Sequence, residues 1–388
     1  MGLPRRCLVQ VSLLIQLAAA TQLLGRSRGN TTEQTRTQIA ATSKPTLRPM
    51  EHRALAELDA EPQLTPKQYL LTSSKSEGKI AWCELKNFRW TLGQSFTLID
   101  AGLVEPAGIA FDPLLGNLYV ADPGASSVYG YRLALVKRKL TTVGTRFTIL
   151  TNRSVDWISI DPGDNSIVFS DRNSSTINKI SAATVNELAY GEIIAENLPV
   201  VHIDDVPLAE TQSVKPRILE VYNTNSSQHL MSPSAVLSDG MHLFWLNSAP
   251  SNQSGLLVQA LGIPKKNTSV AQTAPVVSSS GFVPDALALS RTYMFWSGEN
   301  PSEGTNSIFA TRKAGGHYVY EMHVKIGRPR GLAWDGDNTL FVADEAGGNI
   351  YSMPVGRVQL DPPVTKAMTL PGAFGVAVVF DRDIHVRR

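Results

Sequence analysis

Short apolar segments and polar turns alternate along most of the 388-residue chain. In the segment 331–354, apolar and polar positions alternate with a period of two between turn residues, which predicts two short strands and the start of a third. The segments 106–131, 155–180, 233–260 and 284–311 repeat this order of apolar strand, tight turn, aromatic-rich strand, polar loop and third strand. The pattern therefore predicts an all-β chain built from repeats.

The repeats recur at intervals typical of a β-propeller. The apolar anchors of their first strands are Ile109, Ile158, Val236, Leu287 and Leu332. Successive anchors are 49, 78, 51 and 45 residues apart, and four-stranded propeller blades repeat every roughly 40–50 residues. The predicted fourth strands are 146–152, 191–197, 274–280, 317–324 and 364–370. The longest interval predicts an insertion at about 199–231, which is the first candidate for partner contact because function concentrates in long loops.

A sixth blade is predicted from both ends of the chain. The first-strand pattern returns at 372–383, with Val376 as the anchor. Three further strands are predicted at 68–74, 78–85 and 95–103. Joining the two ends in one sheet removes the unpaired strand edges that an open ring would leave. We therefore expect a six-bladed β-propeller over 67–388, its last blade closed by one C-terminal and three N-terminal strands.

Aromatic residues recur at equivalent strand positions of the repeats. They are Phe111, Trp157, Phe169, Phe244, Trp245, Phe295, Trp296, Trp334 and Phe341. Side chains of a strand alternate between its two faces, so these rings are expected between adjacent blades. The position predicts a packing role first and a binding role second.

The N-terminal segment 1–20 has the features of a secretory signal peptide. Arg5 and Arg6 precede an apolar run that is too short for a stable membrane span, and Ala18 and Ala20 form a small-residue cleavage pattern. No later segment is apolar over the length that a membrane span needs. We therefore expect a secreted protein with no membrane span.

Residues 21–66 contain no Phe, Trp or Tyr and are rich in polar residues. Such a segment buries too little apolar surface to offset its ordering entropy, which predicts a disordered lead before the propeller. Within it, residues 53–57 read RALAE. This stretch predicts either a short helix or an R-x-L-x-E processing site, of the kind found in some parasite proteins exported to a host.

Charge argues against a nucleic-acid partner, and the cysteine content indicates a single free thiol. The formal net charge is +2, and removal of Arg5 and Arg6 with the signal would leave 34 basic against 34 acidic residues. A nucleic-acid binder normally has a basic face, so no nucleic-acid partner is expected. The loss of Cys7 with the signal would leave Cys83 as the sole cysteine. It is expected to be a free thiol, either buried in a strand or linked to another chain.

Six N-x-[ST] acceptor motifs agree with passage through the secretory pathway. Their asparagines are Asn30, Asn152, Asn173, Asn225, Asn252 and Asn267. Most of them lie in polar segments between predicted strands. The sequence therefore predicts a glycoprotein.

The segments GIAFDPLLGNLYVAD, at 108–122, and GLAWDGDNTLFVAD, at 331–344, resemble the NHL repeat. They are similar, more loosely, to the YWTD repeat of the low-density-lipoprotein receptor family. The resemblance covers about 67–383 and implies a six-bladed propeller that binds partners at one face. The same fold also carries enzymes, including calcium-dependent lactonases and phosphotriesterases that resemble gluconolactonase, and the lyase of peptide amidation.

Residues just before the first strand of each repeat are expected to line the central channel. In blade order they are Ala107, Asp156, Ser234, Asp285, Arg330 and Phe374. The resemblance to lactonases implies a calcium site here, for which Asp156 and Asp285 are candidate ligands. The segment with Asp285 resembles the lactonase Pro-Asp-Gly motif but has Ala286 in place of glycine, and the Asn and Glu ligands have no counterpart, although Glu105 lies two residues from one position. The presence of Arg330 argues against a metal ion here, because its guanidinium would repel the ion and would pair with the two aspartates. We expect this charge pair and no resident cofactor.

Asp122, Asp171 and Asp344 follow the second strands of three repeats. An aspartate at such a position is expected to cap the turn by accepting hydrogen bonds from backbone amides. With few metal ligands predicted, the leading hypothesis is a secreted, non-enzymatic module that binds an extracellular protein. A calcium-dependent hydrolase or lyase is the first alternative, and a secreted effector processed at 53–57 is the second.

Overall fold

The propeller is seen in a computed structural model. It describes residues 67–85, 94–137, 139–197, 216–248, 256–263, 273–277, 282–300, 304–314, 318–322 and 324–386. The predicted signal peptide, the predicted lead and its motif at 53–57 lie outside the described residues, and so do Asn30, Asn252 and Asn267. Within the described part, no helix is long and apolar enough to cross a membrane.

Six antiparallel sheets follow the order of the repeats. The first blade contains β4 (Ile109–Asp112), β5 (Asn117–Asp122), β6 (Ser127–Val136) and β7 (Lys139–Thr151). The second contains β8 (Ile158–Ile160), β9 (Ile167–Asp171), β10 (Thr176–Ile180) and β11 (Ile218–Tyr222). The third contains β12 (Pro233–Ser238), β13 (His242–Asn247), β14 (Leu257–Leu261) and β15 (Thr273–Val277). The next two contain β16 (Val283–Leu289), β17 (Tyr293–Asn300), β18 (Thr305–Arg312) and β19 (Tyr320–Met322), then β20 (Pro329–Trp334), β21 (Thr339–Asp344), β22 (Asn349–Pro354) and β23 (Thr365–Thr369).

The sixth blade joins the two ends of the propeller, as the sequence predicts. Its strands run in the order β24 (Ala373–Phe380), β1 (Gln68–Ser74), β2 (Lys79–Leu85) and β3 (Phe96–Ile99). Strand β24 pairs antiparallel with β1, with Tyr69 opposite Val379. The six-bladed propeller and its closure are therefore confirmed. The sequence did not predict one feature of the first blade, which is the parallel pairing of β25 (His385–Val386) with β6.

The second blade departs from the prediction. Residues 191–197, predicted as its fourth strand, form the end of helix α1 (Ala182–Asn197). The fourth strand is β11, which pairs with β10 and lies within the range 199–231 assigned to the insertion. The prediction was wrong here because the apolar residues of 191–197 suit a helix as well as a strand, and a short apolar run does not distinguish the two.

The core lies between neighbouring blades. Trp245, Trp296, Phe169, Phe244 and Phe341 are among its largest fully buried side chains, which confirms their predicted packing role. Near the axis, neighbouring inner strands approach so closely that only glycine fits at some positions. A Cβ atom at residue 331 would lie 2.0 Å from the carbonyl oxygen of Phe374, and one at residue 375 would lie 2.4 Å from that of Ala107.

Candidate functional site

Buried apolar side chains at or just before the inner strands belong to a common apolar cluster. They include Ala107, Trp157, Ala235, Ala286, Leu332 and Phe374. The rings of Trp157 and Phe374 are in contact, with their centroids 5.4 Å apart. Two separate cavities lie along the inner strands, one near their start and one near their finish.

The end at the start of the inner strands is charged. Arg330, from β20, forms an ion pair with Asp285 of β16 and a second ion pair with Glu345, whose Oε2 lies 3.0 Å from the arginine Nε. Arg328 also contacts Glu345, at 3.2 Å. A pocket of about 90 Å³ lies beside this cluster and is also lined by Arg172 and Glu299. The side chains of Arg330 and Asp285 are largely buried.

Burial dominates the electrostatics of Asp285. It raises the pKa of this carboxyl above its usual range, while the guanidinium groups of Arg330 and Arg172 act in the opposite direction and the nearby Asp156 adds to the rise. For Arg330, burial disfavours the charged form, but Asp285 and Glu345 outweigh it and the pKa of the guanidinium is raised. Opposite charges within a few ångströms stabilise the charged forms of both partners.

The channel charge pair predicted from the sequence is present, with a different set of partners. Arg330 pairs with Asp285 as expected, whereas its second ion pair is with Glu345. Asp156 lies close enough to influence Asp285 electrostatically, but no ion pair between it and Arg330 occurs in the described part of the chain. Sequence reasoning missed Glu345 because it considered the start of each first strand and not the loop after the second.

These residues do not suit a calcium ion. Ca²⁺ takes six to eight oxygen ligands, several of them from carboxylates. Here Asp285 is already paired with Arg330, and Glu105 is exposed and lies 3.7 Å from the ammonium group of Lys75. Across the described residues, no three His, Cys, Asp or Glu side chains are grouped so that they could hold a metal ion. The guanidinium of Arg330 would also repel a cation at the position that the lactonase resemblance implies.

The aspartates that follow the second strands accept hydrogen bonds from backbone amides, as predicted, and they contact loops near the charged end. Asp344 accepts hydrogen bonds from the backbone amides of Gly327, Arg328 and Gly347, at 3.2, 2.8 and 3.0 Å. Asp122 accepts from the amides of Val104 and Glu105, both at 2.8 Å.

Asp171 caps its own turn through the amides of Asn173 and Ser174 and also pairs with Arg153. In the third blade, Asn247 holds the incoming loop through the amide of Met231. These side chains are structural.

The end at the finish of the inner strands is apolar. A cavity of about 290 Å³ lies there and is lined by residues of all six inner strands. Its partly exposed large side chains are Phe111, Ile160, Leu237, Leu289 and Trp334. We call these five residues the apolar mouth. Phe111 and Trp334 were predicted to pack between blades. The other three were missed, although the second position after each anchor would have identified Ile160 and Leu289.

Three of the predicted glycosylation acceptors lie in the described part of the chain. Asn152, Asn173 and Asn225 are all exposed. A glycan at any of them would project into solvent without disturbing a sheet. Glycosylation itself stays a prediction.

Cys83 is a free thiol on β2 and is 1% exposed. Burial raises the pKa of this thiol to about 12. The thiolate is the reactive form of cysteine, so the side chain is poorly placed to react. Of the two alternatives from the sequence, the structure favours the buried strand thiol.

Comparison with known proteins supports the fold. No family model and no curated protein sequence match this chain. Among solved structures, it is similar to a chain from a nidogen–laminin complex, with a TM-score of 0.57, 13% identity, and coverage of 81% of this chain and 99% of that one. It is also similar to a Bacteroides fragilis chain proposed to be a 6-phosphogluconolactonase, with a TM-score of 0.51, 12% identity, and coverage of 83% and 100%. At these identities the likeness supports the propeller fold alone and does not choose between a binding and an enzymatic function.

Proposed function

We propose that this chain is a secreted, glycosylated and non-enzymatic module that binds a protein partner. The observation that carries the proposal is the apolar mouth, where five large apolar side chains are partly exposed around one cavity. Large contiguous apolar patches mark interaction sites in soluble proteins, and we infer that these five side chains form the centre of such a patch. The inner strands are rigid parts of the propeller, so this surface is formed before a partner arrives.

Secretion and glycosylation are supported by the sequence and by surface position. The segment 1–20 has the composition of a signal peptide. Asn152, Asn173 and Asn225 are exposed acceptors. A propeller of similar fold occurs in a nidogen–laminin complex, which is an example of the fold in an assembly of proteins.

A calcium-dependent hydrolase or lyase is the second candidate. It is favoured by one observation, the proximity of Asp156 and Asp285 at the charged end of the channel. It ranks below the binding module because Arg330 pairs with Asp285 and no group of three metal-ligating side chains occurs among the described residues. This ranking depends on the positions of these side chains, and it holds even though other propellers of this fold are enzymes.

The proposal is tested by capture of partners from extracellular fluid with three forms of the full chain. They are the wild type, a Leu237→Gln and Leu289→Gln variant at the apolar mouth, and a control with Leu219→Gln and Leu360→Gln, two leucines that are 63% and 60% exposed outside the mouth. A protein retained by the wild type and the control but lost from the mouth variant is the expected result. Equal capture by all three forms would contradict binding at the mouth.

The enzymatic alternative is tested by calorimetric titration with Ca²⁺ after treatment with a chelator. Tight binding of one ion that is lost in Asp285→Ala, together with hydrolysis of lactones or phosphotriesters, would make the hydrolase the leading function. The same titration of Asp361→Ala, an exposed aspartate outside the channel, is the control. We expect no stoichiometric binding to any of the three forms.

A further inference from the structure

A second cavity, of about 520 Å³, lies between the third and fourth blades and away from the channel. Three turns border it, one after β12 of the third blade and two after β16 and β18 of the fourth blade. Its lining includes Asp239, His242, Phe244, Arg291, Tyr293, Arg312 and Lys313. The volume lies within the range of small-molecule sites in proteins, about 300–1,000 Å³. We call this cavity the interblade cleft.

The interblade cleft has an excess of positive charge. Arg291, Arg312 and Lys313 are its cations, and Asp239 is its one carboxylate among the lining residues. The ammonium group of Lys313 lies 2.8 Å from Asp239, so the charges of these two side chains neutralise each other. Although burial acts against the charged form, the hydrogen bond from Lys313 and those from the amides of His242 and Met241 lower the pKa of Asp239. Asp239 therefore remains ionised and committed to Lys313.

The two arginines are left without an anion. Both Arg291 and Arg312 are exposed, and neither forms an ion pair with a carboxylate of the described residues. Arg312 lies directly across the strand pair from Tyr293, and Arg291 is two residues before Tyr293. The backbone amide of Lys313 donates to the carbonyl of Thr292 at 2.9 Å, which joins the two arginine-bearing turns. The two turns that carry the arginines are thus held beside the same cavity.

Aromatic rings form the remaining wall. Tyr293 and His242 present partly exposed rings to the cleft, and the buried ring of Phe244 lies 6.1 Å from that of His242, centroid to centroid. The ammonium group of Lys313 lies 5.8 Å from the Phe244 centroid. Arginine forks match the paired oxygens of sulfate and phosphate, and aromatic faces pack against rings. The combination suits a ligand that has both an oxyanion and a ring.

We propose that the interblade cleft binds a sulfated or phosphorylated sugar, with Arg291 and Arg312 holding the oxyanion and the partly exposed rings of Tyr293 and His242 packing against the sugar ring. This site is separate from the apolar mouth and does not depend on the proposed protein-binding function. Sulfate and phosphate esters share the chemistry that the arginines recognise. The choice between the two sources is made by measurement.

The test is calorimetric titration of the full chain at low salt with a sulfated disaccharide, with glucose 6-phosphate and with inorganic sulfate. The test variant is Arg291→Gln with Arg312→Gln. The control is Arg357→Gln with Arg382→Gln, which removes the same charge from exposed arginines outside the cleft. A melting curve of each form excludes loss of folding as the cause of a difference.

The expected result is that one of the two sugar esters binds the wild type and the control with equal affinity. The same ester should bind the test variant about 30-fold more weakly, since hydrogen bonds between charged groups are among the strongest in proteins. The tighter of the two esters identifies the source of the oxyanion, and weaker binding of inorganic sulfate shows that the ring contributes. The proposal is overturned if neither ester binds the wild type at millimolar concentration. It is also overturned if the control weakens binding as much as the test variant, because that shows a general charge effect.

Discussion

The two ends of the central channel are built from the same six strands and differ in every other respect. At the charged end, Arg330 is held between Asp285 and Glu345, and the loops are tied down by buried aspartates. At the apolar mouth, Leu237, Leu289 and their neighbours remain partly exposed around a cavity. At the charged end the ion pairs and hydrogen bonds are made within the chain, whereas the apolar mouth leaves apolar surface that a partner can cover. We infer that the charged end stabilises the fold and the apolar mouth binds.

The largest expected effect comes from Asp344→Ala at the charged end. The buried Asp344 accepts three backbone hydrogen bonds, and its loss leaves those amides without their acceptor. We expect the free energy of unfolding to fall by about 4 kcal/mol, because hydrogen bonds to a charged group are strong and buried donors are costly to leave unpaired. Urea unfolding measures the change. Asp337→Ala, at an exposed aspartate of the same blade, is the control. A loss as small as the control's would show that Asp344 is dispensable.

Arg330→Met should have the next largest effect. It removes the cation that Asp285 and Glu345 share, and it leaves Asp285 buried without its main partner. Removing one member of a largely buried pair costs about 3 kcal/mol of folding free energy. In the double variant Arg330→Met and Asp285→Asn, part of the loss should be recovered because the unpaired charge is gone. Additive losses in this cycle would mean that the two side chains are not coupled.

A polar substitution at the apolar mouth should separate stability from binding. Leu289→Gln changes a partly exposed side chain, so the free energy of unfolding should change by less than about 1 kcal/mol. Partner capture should nevertheless fall, in contrast to Arg330→Met. Stability is measured by urea unfolding and capture by the retained partner. If Leu289→Gln unfolds the chain as readily as Arg330→Met does, the assignment of distinct roles to the two ends is wrong.

The smallest expected effect is on pH dependence. Burial raises the pKa of Asp285 in the folded chain above its unfolded value. Between these two pKa values the folded chain binds more protons, so the contribution of Asp285 to stability falls as pH rises through that interval. Compared with Asp285→Asn, the wild type should therefore gain stability as the pH is lowered from neutral through the interval. Urea unfolding over a pH series shows this, with Asp361→Asn as the exposed control. A pH-independent difference would contradict the raised pKa.

The sequence was most informative where one local pattern was repeated. Anchors such as Ile109 and Leu332 identify first strands, and the aspartates Asp122 and Asp344 identify turns whose amides need an acceptor. It was least informative where the repeat is interrupted. Residues 191–197 are apolar in a way that suits either a helix or a strand, and the choice between them depends on the neighbouring β10 and β11.

The sequence by itself determined the all-β class, the count of six blades and their closure by both ends of the propeller, because strand periodicity and repeat spacing are local properties. The tertiary structure alone decided that Arg330 pairs with Glu345, that Leu289 lines an open mouth and that Arg291 and Arg312 meet beside one cleft. These residues lie on different turns and strands, and the distances between them depend on how the blades close around the axis. A pattern along the chain specifies which face a side chain occupies, whereas the packing of separate blades determines what it meets there.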